Sequence, residues 1–65
     1  MQESTLLMEE IGRRVRERRQ AMKWSLDDVA RMADFSKTAL WQIETGRSIP
    51  RADTIYRLCI LLAIS

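Results

Sequence analysis

The sequence predicts an all-α domain of four or five short helices, and three observations lead there. Apolar residues recur at helical spacing along most of the chain. Residues 25–46, SLDDVARMADFSKTALWQIETG, read as a short helix, a tight turn and a second short helix. With 65 residues, 46% of them hydrophobic, there is material for one compact core and no second domain. The predicted division is a lead-in over residues 1–8 and a single domain over 9–65.

Residues 1–8, MQESTLLM, read either as a flexible lead-in that frays at its end or as a helix extension in which Leu6, Leu7 and Met8 cover core. From Glu9 to Met22 a helix is predicted, with Ile11, Val15 and Met22 near helical spacing and acids at its start, where the helix dipole favours them. Gly12 should weaken it slightly. Arg19 falls on the side of Val15 and Met22, so its guanidinium should point inward. An inward arginine needs a carboxylate, and Glu44 is the candidate.

The first motif helix can start at Ser25, whose hydroxyl can accept a backbone N–H, with Asp28 completing a capping box and Asp27 suiting the positive end of the dipole. Val29, Ala30 and Ala33 form its inward face, and the small Ala30 allows the second helix to cross closely. Asp34 tolerates a left-handed backbone and can end the helix, while Phe35 fills the apolar corner. Ser36 offers a second N-cap. In the helix that follows, Leu40 and Ile43 point inward with Glu44 beside them, which leaves Lys37, Thr38, Trp41, Gln42 and Thr45 as an outward stripe.

Residues 45–51, TGRSIPR, read as a loop, because Gly46 can end the helix in a left-handed conformation and Pro50 forbids its continuation. The last helix is predicted over residues 52–64, with Ile55, Leu58, Cys59 and Leu62 at i, i+3, i+4 and i+7 facing the core. Cys59 is then a small core residue. Tyr56, Ile60 and Ile64 remain in a row at spacing four with Leu61 beside them, more apolar surface than a small monomer leaves in water, which points to a homodimer interface.

The outward stripe carries the functional argument. An amide, a hydroxyl, an amine and a large aromatic ring replace the Glu and Lys pairs of an ordinary solvated face. Gln can pair bidentately with adenine, Lys can reach guanine O6 and N7, and Thr or Trp can touch a thymine methyl. Taken alone, the stripe is equally compatible with residues that merely face water. The net charge of +2 is small, but it is unevenly spread: −3 over residues 1–10, +5 over 11–24, and balanced over 25–65. Focused positive charge is what a phosphate backbone responds to, although a solvated arginine-rich face is an equal reading of most of these residues singly.

At this point the chain resembles the Cro and lambda-repressor-like DNA-binding domains, also called the Xre family. The resemblance rests on apolar Val29, Ala33, Phe35, Leu40 and Ile43, on Ala30 in the small-residue slot, and on the run IETGR from Ile43 to Arg47 followed by Pro50. It extends without gaps from Ile11 to Ser65. It implies a lambda-repressor-like fold, a structural ion pair between Arg19 and Glu44, an apolar anchor at Trp24, and a second motif helix that enters the major groove of double-stranded DNA. Lys37, Thr38, Trp41 and Gln42 would then face bases, and Ser36, Thr45, Arg47, Arg51 and Lys23 would lie near phosphates.

Three positions depart from the family. Leu26 stands where a phosphate-contacting Gln is usual, Asp34 replaces the usual turn Gly, and Trp41 fills a slot normally held by something smaller or more polar. The family also usually continues into a fifth helix that helps form the dimer. Either this chain is a piece of something longer, or the last helix and Leu6 to Met8 take over that role.

The expected function is therefore a dimeric DNA-binding transcriptional regulator, a bacterial or phage repressor, with a protein-interaction module such as an antitoxin as the rival. Lys37, Arg47 and Arg51, read as having no acid facing outward between them, favour DNA. An enzyme is not indicated, because there is no His, no glycine-rich phosphate loop and no free carboxylate pair. No cofactor is expected, and a lone Cys59 without His provides no zinc cluster and no internal disulfide, which fits a reducing cytoplasm. No apolar run reaches the roughly 18 residues of a membrane span.

Overall fold

The computed structural model describes residues 3–63, with side chains from residue 6 onward. Four helices follow one another among these residues: α1 (Glu3–Ala21), α2 (Leu26–Ala33), α3 (Lys37–Glu44) and α4 (Ala52–Leu62). Helices α1 and α2 each pack on both α3 and α4. The fold is all-α, as the periodicity predicts. No helix is long and apolar enough to cross a membrane.

The core is assembled from the inward faces read above. Val15 of α1, Val29, Ala30 and Ala33 of α2, Leu40 and Ile43 of α3, and Leu58 and Leu62 of α4 are buried. Ile11, Met22, Trp24, Leu26, Phe35 and Leu61 are half-buried against them. Ile55 and Cys59 are only half-buried, and with Ile11, Val15, Leu58 and Pro50 they line a cleft of about 170 Å³.

Of the two readings of the lead-in the helix extension is observed, and its packing is corrected. The helix starts at Glu3, well before Glu9, so the lead-in is a helix extension from there onward. Leu6 and Leu7 do not cover core, since both are exposed on that extension, and only Met8 is half-buried. The expected fraying falls partly on residues 1 and 2, which lie outside the described residues.

Gly12 has a role that helix propensity conceals. A Cβ on it would lie 2.3 Å from the Ile43 carbonyl oxygen and 2.7 Å from that of Glu44, well inside van der Waals contact with backbone that cannot swing away. Glycine is therefore what lets α1 meet the C-terminal end of α3.

Three helix ends close in the same way, by a left-handed residue flanked by two backbone hydrogen bonds. At the end of α1 the residue is Lys23, with Lys23 N–H donating to Gln20 O and Trp24 N–H to Arg19 O. At the end of α2 it is Asp34, with φ 63°, and Phe35 N–H reaches Ala30 O at 2.9 Å. At the end of α3 it is Gly46, with φ 73°. The starts of the motif helices are capped as predicted: Ser25 and Asp28 form a reciprocal capping box, and the Ser36 hydroxyl accepts from Ala39 N–H at 3.0 Å.

The arginine-rich segment behaves differently from the sequence reading. Arg19 bonds Glu44 through two nitrogens, Nε at 2.7 Å and Nη2 at 3.0 Å, and donates Nη1 to the Trp24 carbonyl at 2.9 Å. The Glu44 hydrogen bond raises the Arg19 pKa above its ordinary value, against the opposing effect of burial. Arg18 donates to Leu62 O at 2.9 Å and so caps the end of α4. Arg13 bridges Glu10 and Glu17, and Arg14 also holds Glu10. Of the six bases in residues 11–24, Arg13 and Arg14 are paired with acids at the surface, Arg19 is paired in the interior and Arg18 is spent on a carbonyl, which leaves Arg16 and Lys23 with neither kind of side-chain partner among the described residues.

Three outcomes follow from these contacts. Gly12→Ala, which helix propensity alone would favour by about 1 kcal/mol, is expected to lower the melting temperature; a rise would show that the two helices can separate freely. Glu44→Ala leaves Arg19 unpaired in the interior, and removing one partner of a buried pair costs roughly 3–5 kcal/mol. At about 4–8 °C per kcal/mol for a domain of this size, that exceeds a 10 °C drop, and a shift of a degree or less in a thermal melt would contradict it.

The third concerns acid. Hydrogen bonds from Arg13 and Arg14 lower the Glu10 pKa from its ordinary 4.5 to about 2. Asp28 is lowered too, first by the Ser25 backbone N–H. A carboxylate depressed in the folded state stabilises above its unfolded pKa, and that contribution disappears as pH falls through the folded one. Melting temperature should therefore hold level above about pH 5 and decline towards pH 2. The decline should be shallower for Glu10→Gln, and a variant curve parallel to the parent's would remove Glu10 from this account.

Candidate nucleic-acid interface

Helix α3 is fixed on one side and open on the other. Leu40, Ile43 and Glu44 anchor its inner face, while Lys37, Thr38, Trp41, Gln42 and Thr45 are all exposed. These five fall on two adjacent rows, Lys37–Trp41–Thr45 and Thr38–Gln42, along a helix about 12 Å long. A rod of that length, presenting amine, hydroxyl, amide and indole from a rigid base, has the dimensions and chemistry to enter a major groove.

The positions flanking this edge differ in what they can offer. The Ser36 hydroxyl already accepts from Ala39 N–H, so its own proton is free to donate outward. Thr45 is the reverse: its hydroxyl donates to the Trp41 carbonyl at 2.8 Å, so in this arrangement the proton is turned into the helix. Lys23 is exposed at the turn between α1 and α2. Leu26 packs against the core at the start of α2 and has no donor to present where a phosphate-contacting amide would sit.

The surroundings of the cations need a correction. They are not free of acids: Lys37 Nζ lies 3.7 Å from Asp27 Oδ2, and Arg51 Nε lies 3.5 Å from Asp53 Oδ1. Asp27 was placed at the start of α2 for its dipole, and nothing in the linear pattern shows that the motif turn brings it beside Lys37. Both pairs are well exposed, and such pairs are worth only about 0–1 kcal/mol, so either cation can exchange its carboxylate for a phosphate. Arg47 has no acid within reach among the described residues. Its guanidinium carbon sits 5.1 Å from the centre of the Trp41 ring.

Sequence reasoning missed that stack, and it missed the use of Arg18 and Arg57 as helix caps, the latter donating to the Ala33 carbonyl at 3.3 Å. The two caps join separate helix ends, and the Arg47–Trp41 contact depends on the left-handed turn at Gly46, so none of them follows from helical spacing. Of the proposed dimer residues, Tyr56 and Ile60 are exposed, at 68% and 63%. Leu61 is corrected, being half-buried against the core. Ile64 lies outside the described residues. Met32, Ala33 and Arg57 join Tyr56, Ile60 and Leu61 around a shallow groove between α2 and α4.

A family model described as a helix-turn-helix domain covers residues 10–65. No curated protein and no solved structure matches the chain. Because the match takes in α2, the turn and α3 together with α4 and most of α1, the chain belongs to the helix-turn-helix domain family.

Proposed function

We propose that this DNA-binding regulator is a sequence-specific transcriptional repressor of the bacterial and phage kind, acting as a dimer on a palindromic operator. The observation that carries the reading is the outer edge of α3, where Lys37, Thr38 and Gln42 are exposed on a helix whose opposite face is locked into the core. In this reading α3 lies in the major groove, Gln42 takes an adenine, Lys37 a guanine, and Thr38 and Trp41 make the smaller contacts. Ser36, Thr45, Arg47, Arg51 and Lys23 hold the backbone and set the register without reading sequence. Two copies joined through the exposed Tyr56 and Ile60 face, with Leu61 beside it, would address half-sites about one helical turn apart.

A second reading has its own support. Met32, Trp41, Tyr56 and Ile60 are large and exposed, Leu26 offers no phosphate contact, and Asp27 sets a negative charge beside Lys37. A protein-interaction module, such as an antitoxin with weak DNA binding, would use the same surface, since aromatic residues make good interface anchors.

Selection of bound sequences from a random duplex pool separates the two. A palindromic site is expected, with affinity falling steeply as salt rises. Gln42→Ala should flatten the preference at one position per half-site, losing on the order of 1–3 kcal/mol of discrimination there. An equal loss on every sequence would remove the base-reading role, and binding indifferent to salt would favour the protein partner.

A further inference from the structure

Arg47 is the cation beside α3 with the most defined setting. Its backbone is pinned, with the Arg47 N–H donating to Gln42 O at 2.8 Å. Trp41 is pinned too, within α3, where its carbonyl accepts both the Thr45 N–H at 3.0 Å and the Thr45 hydroxyl at 2.8 Å. Between them Gly46 makes the turn that returns Arg47 over the ring. Its φ is 73°, and a Cβ there would come within 2.9 Å of Glu9 Cγ, so other residues would strain the turn.

The two side chains meet with the guanidinium carbon 5.1 Å from the indole centre, a distance at which a cation is attracted to the ring face. A guanidinium that lies flat on a ring keeps its N–H donors, which lie in its own plane, free at the edges. That edge is the part that grips two oxygens of one phosphate. Lys37 and Arg51 each lie within 3.7 Å of a carboxylate oxygen, whereas Arg47 makes no ion pair among the described residues. It also lies past the C-terminal end of α3, whereas base contacts in this docking mode come mainly from the N-terminal part of a recognition helix.

We propose that Trp41 is a positioning residue for DNA, its indole face holding the Arg47 fork ready for a bidentate contact with one backbone phosphate at the edge of the major groove. The proposal rests on the DNA-binding reading above and gives the unusual outward tryptophan a role in affinity in addition to any contact it makes with a base. Removing the ring leaves the charge of Arg47 in place but releases its orientation.

The test combines nuclear magnetic resonance of the free chain with binding to a short mixed-sequence duplex at several salt concentrations. In the free chain the Arg47 side-chain protons should be shifted upfield by the ring and return to ordinary positions in Trp41→Ala; no such shift overturns the stack without reference to DNA. On the duplex, Trp41→Ala should bind about two- to fivefold more weakly, the range expected of an exposed cation–aromatic pair. Trp41→Phe should recover part of the loss. Arg47→Ala should lose more and reduce the salt slope by roughly 0.9, one phosphate.

The decisive comparison is the double variant, in which Trp41→Ala should cost clearly less without Arg47 than with it. If Trp41→Ala costs the same factor with or without Arg47, the indole touches DNA directly and the positioning role is wrong. If the upfield shift is present but the unaltered chain binds no duplex at low salt, the DNA-binding reading fails and takes this role with it. Trp41 is exposed, so its variants should melt close to the parent, and a loss confined to the one that unfolds would also overturn the proposal.

Discussion

The placement of α3 depends on one ion pair. Glu44 sits on the inner edge of α3, its side chain only 4% exposed, and Arg19 reaches it from α1 with two nitrogens. A buried carboxylate is tolerable only when its charge is matched and its oxygens are bonded, so the pair constrains where α3 can lie relative to α1. The third donor of Arg19 goes to the Trp24 carbonyl, which ties the turn before α2 to the same point. One guanidinium therefore joins the first helix, the entry to the motif and the helix with the open outer face. Gly12 acts at the same junction by letting the backbones of α1 and α3 approach within contact distance.

That use of charge alters how the surface should be read. The segment with the greatest excess of positive charge spends it internally, on Glu10, Glu17, Glu44 and the carbonyl of Leu62. Outward positive charge is accordingly sparse around α3, where Lys37 and Arg51 each have an acid nearby and Arg47 rests on an aromatic ring. A weak overall field gives weak attraction to any phosphate backbone, so discrimination would have to come from a few well-placed groups. In such a chain the orientation of each flanking cation matters more than its number.

The exposed apolar surface has a separate origin. Leu58 and Leu62 satisfy the core side of α4, and its next face, Tyr56 and Ile60, is left in water alongside Met32 of α2. Arg57 bonds the end of α2 at the rim of the groove, so the two helices are already joined beneath it.

Most helix bounds, the serine, Asp34 and Gly46 caps and the inward faces are legible in the chain alone, because each depends on residues three or four apart. Ser25 with Asp28, Ser36, Asp34 and Gly46 mark helix ends through hydrogen bonds and backbone angles that are local. Leu40, Ile43 and the outward stripe follow from the turn of a helix, and the Arg19–Glu44 pair was legible because an inward arginine needs a partner and few carboxylates face inward. Packing between helices settles what local spacing leaves open, namely the close approach at Gly12, the caps by Arg18 and Arg57 and Asp27 beside Lys37, while Arg47 over Trp41 depends on how the turn at Gly46 is made. Side-chain pairing depends on distances in space, and for partners 10 to 44 residues apart those are set by how whole helices pack.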